Sequence, residues 1–105
     1  MEAEDCYFEV TSKLGIKISI TKSRWNKIVK IKHPEVEGSE ENIKRTLENP
    51  NEIRLSKKDS SVYLYYRLFG KLFLCTIAKH NNGEVFIITA YYADRIKEGE
   101  AIWRK

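Results

Sequence analysis

Cysteine is scarce in this 105-residue chain: Cys6 and Cys75 stand far apart, without the CxxC or CxH spacing that a zinc site uses. A disulfide framework and a structural zinc are thereby set aside. Both residues read as ordinary thiols, Cys75 as a buried one. Long hydrophobic runs are missing too. The longest apolar stretch, residues 85–92, is far too short to cross a bilayer, and the acidic opening MEAED lacks the basic region of a secretory signal. A soluble, cytoplasmic protein with no membrane partner is expected. No repeats, linkers or low-complexity tracts occur, and no ligand cluster calls for a metal or cofactor. A chain of this length fits one compact domain with a single core, so every functional group is expected on one small body.

What is present is apolar material and local charge. Hydrophobic residues make up 42% and charged ones 32%, enough to fold and stay in solution. The net charge of +4 is unevenly spread. Residues 21–34 carry five Lys or Arg and no acid, whereas residues 35–59 carry seven acids against five bases. A local cationic patch of this kind is what a phosphate backbone feels.

The pattern along the chain predicts an α+β fold in a single domain. CYFEV and IKISI, joined by SKLG, read as an N-terminal β-hairpin. TKSRWNKIVKIKHPE reads as a helix capped by Thr21 or Ser23 and stopped by Pro34, with Trp25, Ile28 and Val29 on one face and His33 at its edge. SEENIKRTLENP is a second helix with Ser39 as its cap and Ile43 and Leu47 facing inward. EIRLS, SVYLYYRLF, KLFLCTIAKH and EVFIITAYY then form a four-stranded antiparallel meander, with the two helices packed on it. Both alternating sets of the middle strands are apolar, so cover is expected on both faces, from the helices on one and the hairpin on the other. ADRIKEGEAIW reads as a short C-terminal helix ending at Gly99, with Trp103 returning to the body.

Several residues suit chemistry, each with a plainer reading beside it. His33 is the sharper of the two histidines, since imidazole titrates near neutral pH and serves ester or phosphodiester proton transfer. As a helix C-terminal residue it equally well only complements the dipole. Lys79 and His80 flank the NNG turn, where they meet a phosphate or merely keep a hairpin tip solvated. Thr89 and Tyr91 share a face of one strand and present a hydroxyl and a phenol together. Tyr65 and Tyr66, like Tyr63, are common strand residues that also stack on bases. Lys22, Lys27 and Lys30 suit phosphate contacts or form a solvated helix face.

In order, a helix ending in KHPE, a helix ending in LENPNEI, a strand with YLYYR and a strand ending in TAYYADRIKEGE resemble the phage-associated branch of the barnase, EndoU, colicin and RelE-like (BECR) nuclease superfamily. The resemblance covers about residues 24–103; residues 1–20 are then a hairpin extension and residues 21–105 the nuclease-type domain. It implies a metal-independent, toxin-type endoribonuclease acting on RNA, with a cognate inhibitor protein as a further partner. Carried over by motif, it assigns His33, Thr89 and Tyr91 as catalytic and Tyr65 and Tyr66 as substrate-binding. His33 would take the proton of a ribose 2′-hydroxyl, Arg67 or Lys79 would steady charge on the phosphate, and His80 or Tyr91 would protonate the leaving oxygen. Lys27 and Lys30 would hold the RNA backbone. A non-catalytic nucleic-acid-binding module and a protein-interaction domain are the alternatives.

Overall fold

The computed structural model describes residues 5–105, so the first four residues of the acidic opening lie outside it. The sheet grows outward from four consecutive antiparallel strands, β3 (Glu52–Leu55), β4 (Val62–Phe69), β5 (Leu72–Asn81) and β6 (Glu84–Ala93). Their turns are dictated locally. Asn82 and Gly83 both take positive φ, 51° and 83°, the backbone that a tight hairpin matched to strand twist requires.

This is not the four-stranded meander expected from the sequence. The sheet has seven strands in a mixed arrangement, in the order β1-β2-β6-β5-β4-β3-β7. β1 (Cys6–Thr11) and β2 (Lys17–Thr21) form an antiparallel hairpin that does not cover a sheet face but continues the sheet sideways. β2 meets β6 in parallel through a single pairing, Ser19 with Phe86. The C-terminal helix expected to end at Gly99 is instead the loop 94–99, and beyond it the chain returns at the other edge as strand β7 (Glu100–Arg104), antiparallel to β3. The helical reading fails because tertiary contacts of this loop override a weak local propensity. Glu52 of β3 holds Arg54 Nε at 2.6 Å and Arg104 Nε at 3.5 Å, and Trp103 packs against the main core.

Two short helices, α1 (Lys22–Lys27) and α2 (Glu40–Glu48), lie on one face. Thr21 Oγ1 accepts from the Arg24 backbone N–H at 3.2 Å and starts α1. Residues 28–32 widen into a π turn, closed by His33 N–H donating to the Ile28 carbonyl at 2.7 Å. The chain cannot continue as a helix because a residue before proline is pushed out of the α region, and His33 sits at φ −143°, ψ 75°. Ser39 precedes α2 without capping it through its side chain; the hydroxyl instead bonds Tyr92 Oη at 2.8 Å and ties the helix start to β6.

Trp25, Ile28, Val36, Ile43 and Leu47 of this layer pack on Ile18, Ile53, Tyr65, Leu74 and Ile87 in the main core. The opposite face has a smaller cluster of Leu64, Tyr66 and Cys75, flanked by Phe73, Ile77, Tyr91 and Ile96. Its cover is the loop 94–99, not the hairpin: Ile96 packs on it, and Arg54 Nη1 donates to the carbonyls of Glu98 and Gly99 at 3.5 and 3.3 Å.

Candidate functional site

The site begins with a register shift. Ile87 of β6 pairs with Ala78 and packs under the helices, so strict alternation would put Thr89 and Tyr91 there as well. A bulge at this point makes Thr89 pair with Ile77 and Tyr91 with Cys75, and both side chains emerge on the opposite face. Bulges recur where a sheet has to re-aim a side chain.

Beyond Phe86, β6 has no paired strand on its outer side among the described residues, and the short 3-10 turn Pro34–Val36 comes up against it. Here His33 reaches Tyr91, with ring centroids 5.5 Å apart and planes at 52°. Two residues on, past Pro34, Glu35 returns its carboxylate to His33, with Oε2 at 3.3 Å from Nδ1. The imidazole is about one-third exposed and the carboxylate about half. A carboxylate at Nδ1 fixes ring orientation and leaves Nε2 to exchange a proton, the base-plus-orienter arrangement of nucleophilic and phosphodiester catalysis.

Tyr91 Oη also faces Glu98 Oε2, at 3.5 Å. Burial first, then Cys75 and Glu98, raise the Tyr91 phenol above its ordinary value. Tyr66, beside it, is raised by burial and then by Cys75 and Tyr91, and burial pushes the Cys75 thiol up to about 12. These three groups therefore stay protonated at neutral pH and act as hydrogen-bond donors. Thr89 Oγ1 is buried and has no hydrogen-bond partner among the described residues. A base held by a carboxylate thus meets a neutral phenol at the edge of β6, with the buried Thr89 hydroxyl two residues back on the same strand face. Among the described residues, no group of three or more His, Cys, Asp or Glu side chains is placed to hold a metal ion.

Other residues singled out from the sequence lie elsewhere. Tyr65, adjacent to Tyr66, points to the opposite face as a strand requires; it is fully buried, and its hydroxyl donates to Ser12 Oγ at 3.0 Å. Arg67 is on that face too, donating to the Asn49 carbonyl at 2.6 Å. Lys79 pairs with Asp59 at 3.5 Å, and its four-residue distance from Cys75 puts it about 13 Å along the strand from the Tyr91 level. His80 stacks on Tyr63 at 4.3 Å, on the helix-bearing face. Arg67 and His80 therefore cannot serve His33 as the sequence suggested, and Lys79 is too far along the sheet. Lys27 and Lys30 are exposed on the helical segment that leads to His33. Sequence reasoning missed Glu35 and Glu98. Glu35 carried a signal, since a proline between a histidine and a glutamate turns the chain back; Glu98 depends on how the loop 94–99 folds.

No family model matches the chain, and comparison with curated proteins and with solved structures gave no match. No helix among the described residues is long and apolar enough to cross a membrane.

Two expected results follow for the residues outside the site. Tyr65→Phe removes one buried hydrogen bond while Ser12 Oγ keeps the Leu14 N–H at 3.2 Å, so stability should fall by about 1 kcal/mol. In a thermal melt that is a Tm drop of about 4–8 °C. Burial depresses the His80 pKa below its ordinary value of 6.5. The unfolded chain then binds the proton more readily, so this contribution is complete above pH 6.5 and is lost as pH falls from there through the folded value. Urea midpoints at neutral and mildly acidic pH should show a smaller acid loss in His80→Gln than in the parent.

Proposed function

We propose that the protein is a metal-independent endoribonuclease whose centre is His33. The observation that carries this reading is the approach of a carboxylate-held histidine to a protonated tyrosine, at the end of a lysine-bearing helical segment. In the reaction, His33 Nε2 takes the proton of a ribose 2′-hydroxyl and O2′ attacks the adjacent phosphorus. The P–O5′ bond breaks, leaving a 2′,3′-cyclic phosphate. Tyr91, on the same sheet face as the phosphate, gives its proton to the departing 5′ oxygen, an alkoxide basic enough to take it from a phenol.

Tyr66, buried beside Tyr91, supports its phenol from within the sheet, and Lys30 and Lys32, exposed one turn or less before His33, offset the charge of the phosphate. Glu35 orients the base. The need for a 2′-hydroxyl makes RNA the substrate and DNA an uncleaved binder. The ordered motifs that resemble the BECR nucleases agree with this chemistry, although the sheet differs from the one those motifs led us to expect. The cognate inhibitor belongs to the same reading: a protein that occupies the His33 edge of β6 would block the site. Incubation of a mixed structured and single-stranded RNA with purified protein and a chelator tests the reading; intact RNA across a range of salt and pH would sink it.

A further inference from the structure

β2 and β6 are paired only where Ser19 meets Phe86, and beside that pairing the strands and the start of α1 enclose an open groove of about 830 Å³. That volume suits a nucleotide-sized ligand. Its walls bring Lys17, Arg24 and Lys27 together with the ring of Phe86, against the carboxylates of Glu9 and Glu84. The charges are sorted along the groove. The parallel register that sets Ser19 beside Phe86 places Lys17 level with Glu84, two residues earlier on each strand. Arg24 and Lys27 lie past the other end of β2, beyond Thr21, away from Glu84. Arg24 covers Phe86, its guanidinium carbon 5.5 Å from the ring centroid. A planar cation over an aromatic ring is a surface on which a nucleobase stacks.

The groove and the His33 site lie on one path. Phe86, Thr89 and Tyr91 pair with Lys79, Ile77 and Cys75, alternate residues of β5, so all three side chains stand on the same sheet face. From Phe86 to Tyr91, measured on their partners Lys79 and Cys75, the strand advances about 13 Å, a span that a few nucleotides cover. α1 and the π turn carry Arg24, Lys27, Lys30 and Lys32 in order before His33, with Arg24 on Phe86 at one end and His33 against Tyr91 at the other.

We infer that the groove is a substrate subsite for single-stranded RNA, in which Phe86 and Arg24 stack a base and Lys27 contacts its phosphate, so that the strand is led along β6 to His33. This rests on the ribonuclease reading and adds to it a binding position and a preference for unpaired RNA, whose bases are accessible for stacking.

The test is fluorescence anisotropy of a short fluorescein-labelled oligouridylate whose 2′-hydroxyls are methylated, so that it binds without being cut. Phe86→Ala should weaken binding on the order of 10-fold, as loss of one stacked base does. The paired surface change Arg24→Glu and Lys27→Glu should weaken it further and flatten the dependence of log affinity on log salt by about two. The same probe annealed to its complement should bind more weakly than the single strand.

Wild-type affinity in both groove variants, with melting unchanged, would overturn the subsite, as would a duplex bound as tightly as the single strand or a wild-type protein that does not bind at low salt. Cleavage of unmodified RNA separates this inference from the reading beneath it. Groove-dependent binding without cutting would sink the nuclease and keep the subsite. Cutting with groove variants that bind normally would do the reverse.

Discussion

His33→Ala should lower the rate of RNA cleavage by roughly 10²–10⁴-fold, the usual contribution of a general base, in a protein that still melts at the parental temperature. The fold should tolerate the change because the imidazole is partly exposed and its contacts are local, to Glu35 and to the ring of Tyr91. Glu35 supplies the internal control. Glu35→Gln retains a hydrogen-bond acceptor at about the same place but not the charge that stabilises the imidazolium, so its loss should be smaller than that of His33→Ala and should fall in kcat more than in KM. Equal cleavage by the parent and a folded His33→Ala would remove the histidine from the site.

Gly99→Ala should be among the most damaging single substitutions in the chain. Gly99 has φ 82°, and a Cβ there would lie 2.8 Å from the Leu55 carbonyl oxygen and 3.1 Å from Arg54 Cβ. The left-handed backbone alone costs an alanine about 1–2 kcal/mol. The contact cannot be relieved by a side-chain rotation, because the obstructing oxygen is backbone of β3, the strand on which β7 pairs. Together these should lower stability on the order of 2–4 kcal/mol, read as a fall in the urea midpoint at an unchanged m-value. The effect should reach the site. Arg54 grips the carbonyls at 98 and 99, the same turn that holds Glu98 opposite Tyr91, so displacement of Gly99 loosens the cover over Tyr66, Cys75 and Tyr91. Cleavage per folded molecule should therefore drop in Gly99→Ala; a variant of parental midpoint would show that β3 yields more easily than its pairing suggests.

Parts of this architecture could be read from residues alone because their causes are local. The helix start at Thr21, its stop before Pro34, and the tight turn at Asn82-Gly83 each follow from one or two side chains. The shared face of Thr89 and Tyr91 follows from strand alternation. The remainder depends on contacts remote in sequence. The segment leading to Gly99 reads as a short helix, and nothing in it announces the loop 94–99 that forms instead. Pairing of Glu100–Arg104 with β3, and the Glu52 carboxylate waiting for Arg54 and Arg104, leave no trace in that segment. The placement of the β1–β2 hairpin turns on one pairing between Ser19 and Phe86, which no local pattern announces. For the candidate site the division is similar. Glu35 was within reach of sequence logic through the His-Pro-Glu turn, whereas the separation of Tyr65 from Tyr66 and the loss of Arg67 and His80 to the other face required knowing which face the helices cover.

The bulge in β6 makes the chemistry of the outer face a matter of counting. Upstream of it, Val85 and Ile87 belong to the buried side; downstream, Ala90 and Tyr92 do. The odd-numbered positions thus change allegiance within a single strand. The bulge absorbs one extra residue between Ile87 and Thr89, so removing that residue would restore regular alternation and leave Thr89 and Tyr91 on the outer face, whereas straightening the strand at its full length would send Tyr92 outward and draw Thr89 and Tyr91 beneath the helices. The outward placement of these two hydroxyls therefore rests on where the strand stores its surplus residue, a matter of phase rather than of composition.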